Sequence, residues 1–185
     1  RPGYLYVRPH ERHMLYLQAT KKALARLGLA KEKLDAAGET SSSLGNWLVN
    51  VVPIGRRDAY LFMSTRSLLS FPMLIGNYEP KVNDMTAFLE HGFTGLLKAM
   101  NTPQSQSSML LRDLDAVLLC ASTSKSLMGV YSAIAGEYHQ RVLLLGGEHK
   151  ADLGAVIGAT NSTPRATLGW RTSFEVSEEL LAASV

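Results

Sequence analysis

Cysteine is almost missing from this chain. Cys120 is the only one in 185 residues. One cysteine excludes an intrachain disulfide and fits a reducing compartment, so a cytoplasmic protein is expected. Long apolar runs are missing too. Stretches such as 116–121 and 142–145 fall far short of the ~18 to 20 residues that a membrane helix needs. No basic, apolar, then small-residue pattern opens the chain. Catalytic signatures are equally scarce. There is no Gly-x-Ser-x-Gly elbow and no phosphate-binding P-loop. The five histidines, His10, His13, His91, His139 and His149, form no zinc-site spacing. No metal or cofactor is therefore expected. Charge of one sign is not in strong excess either. The formal net charge of +3 does not by itself imply a nucleic-acid partner.

What is present is ordinary in amount and uneven in place. The apolar fraction of 46% and charged fraction of 19% suit a globular chain able to bury a core. The first 33 residues carry eight cations against two carboxylates, and the other 152 sum to −3. That basic end is matched to phosphates, to an acidic partner or to solvent. The dipeptide His13-Met14 resembles a cloning junction before a native start. Residues 1–13 are thus read as a vector-derived or read-through extension, and 14–185 as a single α+β domain.

Along the chain, strand patterns come early and helical patterns late. Residues 14–19 alternate like a strand. Thr20 then caps a short helix that Gly28 stops, and 31–37 reads as a second short helix. The runs 47–54 and 59–64 flank Gly55-Arg56-Arg57-Asp58, a hairpin connection. Pro53 demands an edge position or a bulge, and Pro72 does the same for a third strand over 68–75. Helical spacing begins at Asp84 and continues to Met100. A helix after Pro103, a buried strand over 116–121 and a long helix over 126–145 follow. Gly129 and Gly136 suggest close packing in that long helix. A short helix over 152–160, a strand over 170–176 and a terminal helix complete the chain. Strands before helices predict an α+β fold: a small, mainly antiparallel sheet from the N-terminal half, packed by helices of the C-terminal half.

Several motifs point to an anion. Thr20-Lys21-Lys22 sits where a strand meets a helix N-terminus, whose exposed N–H groups favour negative charge. Arg56 and Arg57 in the hairpin turn suit a phosphate or carboxylate. Lys125 and Ser126 precede the long helix. Strand parity puts Asn46 and Asn50 beside Leu48 on one face, with Trp47, Val49 and Val51 opposite. The amides are candidates for a polar site, or they simply face water. Asn46 and the arginine turn are ~30 Å apart along an extended strand at ~3.3 Å per residue, too far to serve one small ligand. Cys120, in an apolar run, reads as a core residue.

Together these motifs resemble a bacterial family known only as a domain of unknown function. The resemblance rests on Thr20-Lys21-Lys22, Leu44-Gly45-Asn46-Trp47 with Asn50, and Gly55-Arg56-Arg57. It continues in Leu68-Leu69, Thr123-x-Lys125-Ser126-Leu127-x-Gly129 and Pro164, from about Met14 to Leu181. The family pattern prefers Asn-Arg where Ser124-Lys125 stand, and Met-Asn where Val130-Tyr131 stand. The resemblance implies an origin on mobile or cassette DNA and no particular activity. The expected function is a non-enzymatic binding protein for an anionic ligand, either nucleic acid or a phosphorylated small molecule. Thr20, Lys21, Lys22, Asn46, Asn50, Arg56, Arg57, Lys125 and Ser126 are its candidate contacts. The alternatives are a protein–protein module of an accessory, toxin–antitoxin or defence system, with homodimerisation, and a histidine-dependent hydrolase.

Overall fold

A five-stranded sheet in the order β4-β3-β2-β1-β5 divides the molecule into two helical layers. The computed structural model describes residues 14–30, 34–122 and 125–183. The strands are β1 (Leu15–Ala19), β2 (Trp47–Ile54), β3 (Arg57–Ser64), β4 (Ser70–Leu74) and β5 (Val117–Ala121). β1 runs parallel to both β2 and β5. The pairings of β2 with β3, the longest in the sheet, and of β3 with β4 are antiparallel. The fold is α+β, with four strands from the first half and most helix from the second.

Parity sorts the side chains as the sequence pattern predicts. Trp47, Val49 and Val51 face one layer with Tyr60, Phe62 and Phe71. Trp47 lies 5.6 Å from Phe93, edge to face, and 5.8 Å from Phe71. This layer holds α1 (Lys21–Arg26), α2 (Asp84–Ala99) and α3 (Gln104–Leu111). Leu48, Val52 and Ile54 face the other layer. There they meet α4 (Met128–Leu144) and α5 (Leu153–Asn161) through Tyr131, Ile134, Tyr138, Val142 and Val156. The last helix, α6 (Ser173–Ala182), returns to the first layer through Leu181.

Both prolines obey their constraint. Pro72 is on the edge strand β4. Pro53 belongs to a central strand, but β1 pairs with β2 only as far as Val49. Beyond that point β2 has an open edge, and Pro53 lies on it. The β2–β3 turn is Gly55-Arg56, with Gly55 at φ 61°. A two-residue hairpin with glycine at its first central position matches strand twist at no steric cost.

Three expectations need correction. Residues 31–33 lie outside the described residues, but 34–37 form no helix; Ala36 bridges in parallel to Ala121 at the edge of β5. Residues 173–176 are helical, not strand. Thr172-x-x-Glu175 is a capping box whose two reciprocal bonds start α6 there. Gly129 and Gly136 do not mark close packing, since a Cβ at either would meet nothing within 4 Å. The glycine that does is Gly92, where a Cβ would fall 1.9 Å from the Phe71 ring.

One buried polar cluster ties the second layer to the sheet edge. Asn161 accepts from the Ser70 N–H at 2.9 Å and donates to the Ser70 carbonyl at 2.8 Å. The amide thus imitates a neighbouring strand along β4, which blunts an otherwise unpaired edge. The Tyr138 hydroxyl donates to the same carbonyl at 2.8 Å. Replacing Asn161 with Ala strands the buried Ser70 N–H. The expected loss is about 2 to 3 kcal/mol in urea unfolding. A loss under about 1 kcal/mol would mean that water takes over the bond.

Candidate functional site

The parallel strands β1 and β5 end side by side. Ala19 pairs with Ala121, and the Ser122 N–H donates to the Ala19 carbonyl at 2.9 Å. From there the chain leaves in opposite senses. After β1, α1 packs Ala23 and Leu24 into the first layer. After β5, α4 packs Tyr131 and Ile134 into the second. Neighbouring parallel strands whose helices diverge to opposite faces open a crevice at their carboxyl ends. Thr20-Lys21-Lys22 follows β1 there and Ser122 follows β5; Thr123 and Ser124 lie outside the described residues.

Thr20 builds the corner. Its hydroxyl accepts from the Ala23 N–H at 3.3 Å, which caps α1. The same hydroxyl donates to Asn50 Oδ1. Asn50 Oδ1 also accepts from the Val51 N–H at 2.8 Å. The amide orientation is thereby set, with oxygen inward and the Nδ2 donors left over. Next to Asn50, a groove of about 280 Å³ runs between the open edge of β2 and α4. Asn50, Val52 and Pro53 form one wall, and Ser132, Gly136 and His139 the other.

The expected contacts do not all gather here. Thr20 and Asn50 are bonded to each other, and the exposed Lys21 and Lys22 flank them. Lys125 and Ser126 are exposed between β5 and α4. Lys21, Lys22 and Lys125 carry no salt bridge among the described residues. Asn46 is elsewhere. It accepts from the Tyr16 N–H at 3.2 Å and donates to the Gly38 carbonyl at 3.0 Å, latching the start of β1 to a loop. The Arg56-Arg57 turn meets the nearly buried Glu148. That carboxylate accepts from the Arg56 N–H at 3.1 Å and lies 3.9 Å from Arg57. Backbone N–H groups of its own residue and of Arg56 hold the Glu148 carboxyl below its usual range.

Residues 16–176 match the family described as a domain of unknown function, DUF6933. The chain belongs to this family. No curated protein and no solved structure matches it.

Sequence reasoning missed the α4 wall of the crevice in this DUF6933 chain. Ser132, Gly136 and His139 carry no local motif, and only the packing of α4 across β2 brings them to Asn50. The described histidines are on separate elements. His91 is on α2, His139 on α4, and His149 lies 3.7 Å from Glu148 at the arginine turn. His10 and His13 lie outside the described residues. Among the described residues no group of His, Cys, Asp and Glu is arranged to hold a metal ion, and no helix is long and apolar enough to cross a membrane. Burial pushes the Cys120 thiol up to about 12, which leaves it without thiolate character at neutral pH.

The densest charged cluster is centred on the Glu137 carboxylate. Glu137 on α4 accepts from Arg141 at 2.8 Å, from the Thr163 hydroxyl at 2.8 Å and from Arg165 at 2.9 Å. Burial raises its carboxyl, but the hydrogen bonds from Arg141, Thr163 and Arg165 outweigh it and hold the group below its ordinary value. This cluster clamps α4 to the segment after α5. A depressed carboxyl stabilises the fold above its unfolded value of about 4.3 and loses that contribution as pH falls through the folded value. Glu137→Gln should therefore cost about 1 to 3 kcal/mol near neutral pH, with the gap to the parent closing below about pH 4. Urea titrations at both pH values check this, and an unchanged gap would clear the carboxylate of the role.

Proposed function

We propose that this protein binds an anionic ligand at the crevice above β1 and β5, and that it does so as a binding protein rather than an enzyme. The observation that carries the reading is the Ser122 to Ala19 hydrogen bond between two parallel strands whose helices diverge. It brings Ser122, three residues before Lys125 in the chain, next to the residue before Thr20. Lys21, Lys22 and Lys125 bring positive charge there without internal compensation, whereas the Arg57 charge faces Glu148. Thr20 and Asn50 supply neutral polar groups. Asn46 and Arg57 drop out of the ligand set because their side chains meet partners within the protein, and Arg56 because it stands at the far end of β2 from Thr20. The single enclosed Cys120 suits a cytoplasmic setting.

The test is salt-dependent binding of phosphate-bearing probes. Neutralising two or three phosphates releases counterions, so affinity should fall roughly tenfold from about 50 to 200 mM salt. The triple change Lys21→Glu, Lys22→Glu, Lys125→Glu should weaken binding by at least as much, and Arg56→Glu should change it little. Absence of binding at low salt, or binding indifferent to the three lysines, would overturn the reading.

A second reading has its own observation. Leu143, Leu144 and Leu145 at the end of α4 are exposed by 46, 87 and 53%. Next to them Ala155 and Ala159 of α5 line a shallow apolar groove with Leu144. A projecting leucine beside a groove of small residues is the self-complementary surface that a two-fold dimer needs. Light scattering should then give twice the 20.2 kDa chain mass, reverting to one chain on Leu144→Lys. A monomer at high concentration would remove this reading.

A further inference from the structure

We propose that a second cavity, at the β4 edge of the sheet, binds a small uncharged ring compound carrying one hydrogen-bond donor, of the indole or phenol class. The cavity holds about 260 Å³ and is lined by α2, α5 and the edge strand β4. Its position follows from the two-layer fold. α2 belongs to the first layer and α5 to the second, so the seam between the layers runs along β4. Ile157 of α5 packs against both apolar clusters. At Ser70 the seam is sealed by the Asn161 amide. Two residues on, at Pro72, it opens into the cavity.

The walls are apolar, among them Phe71, Leu96, Leu153 and Ile157. The Phe71 ring is held in place. It stacks on Phe62 with centroids 5.1 Å apart, and Gly92 lies so close that a Cβ there would collide with it. His91 is the one lining side chain that carries a nitrogen or oxygen atom, and no Lys, Arg, Asp or Glu lines the cavity. A charged ligand finds no partner in such a lining.

Pro72 supplies the polarity, and the strand register fixes its direction. Ser70 turns its N–H and carbonyl away from β3 to Asn161, whereas the Ile75 N–H donates to Asp58 on β3. Backbone groups alternate in direction along a strand, so the Pro72 carbonyl also points away from β3, on the cavity side. Pro72 is buried, and no donor meets that carbonyl among the described residues. Buried carbonyls without a partner are uncommon. Proline has no N–H, so this point of the cavity offers an acceptor and no backbone donor. The matching ligand brings a hydroxyl or a ring N–H on an otherwise apolar body.

A peptide strand does not fit the same edge. Strand addition needs donors and acceptors in alternation, but the Ser70 pair is taken and Pro72 cannot donate. Size agrees with a small ring. An apolar cavity of roughly 150 Å³ takes benzene, so about 260 Å³ admits one ring or two fused rings.

Isothermal titration with indole, 3-methylindole and 1-methylindole tests the proposal. The two methylated probes have equal size, and only 1-methylindole lacks the donor. Indole and 3-methylindole should bind, and 1-methylindole about tenfold more weakly, within the range for stranding a buried acceptor. Gly95→Leu and Ala99→Leu each place a larger side chain over the cavity from α2. A Cβ at Gly95 meets nothing within 4 Å and Ala99 is exposed, so neither change crowds the core. Each should weaken indole at least about tenfold, with circular dichroism melts confirming that the variants fold. Equal affinity for the two methylindoles would overturn the donor assignment. Absence of indole binding at millimolar concentration, or indole binding that survives both substitutions, would overturn the site. Indole carries no charge, so these outcomes are separate from those of the anion crevice.

Discussion

The Thr20 hydroxyl is the atom on which the crevice depends. It accepts from the first turn of α1 and donates to Asn50 on β2. Those two bonds end β1, because a residue capping a helix no longer runs as a strand. They also leave β2 extending five residues past the Val49 register without a neighbour on that side. An exposed strand edge is normally a hazard. Here it is blunted without being covered. Asn50 folds its own side chain onto the Val51 N–H, and Pro53 has no N–H to offer. The edge therefore resists strand addition and remains open as one wall of a groove.

The polar groups of this protein fall into two kinds, distinguished by whether their bonds close. Glu137 with Arg141, Thr163 and Arg165 is closed, and so is Asn161 with Ser70 and Tyr138. Each joins helices of the second layer to a neighbour, and in each the acceptor oxygens are met from within the protein. The crevice is the other kind. Three lysines lack salt bridges among the described residues, and Asn50 keeps its amide donors spare. Low-dielectric surroundings make unmet polar groups costly, so closed clusters collect where packing is tight and open ones at the surface.

Much of this arrangement was legible along the chain, and the reasons are local. Alternation on β2 separated Trp47, Val49 and Val51 from Leu48, and two helical layers sit where that alternation puts them. Gly55 announced the hairpin, and Asp152 the start of α5. The failures were local as well. The apolar and β-branched residues of 170–176 read as strand, but the Thr172 and Glu175 capping box overrode that propensity. The adjacent arginines drew attention as an anion clamp. Glu148, which meets the Arg56 N–H and the Arg57 side chain, lies more than ninety residues away, at a distance that no short motif can report.

By itself, the sequence determined which segments become strands and helices and which face of each is apolar, since those depend on near neighbours and on periods of 2 and 3.6 residues. It also carried the family in short motifs spread over the chain. Tertiary structure alone decided which polar residues are free. Asn46 and Asn50 occupy equivalent places in the pattern, yet one latches a loop and the other faces a groove. The adjacency of Thr20 to Ser122, the open edge of β2 and the approach of α4 across it are all long-range contacts. They follow from strand order, and strand order is set by how two apolar faces are buried at once.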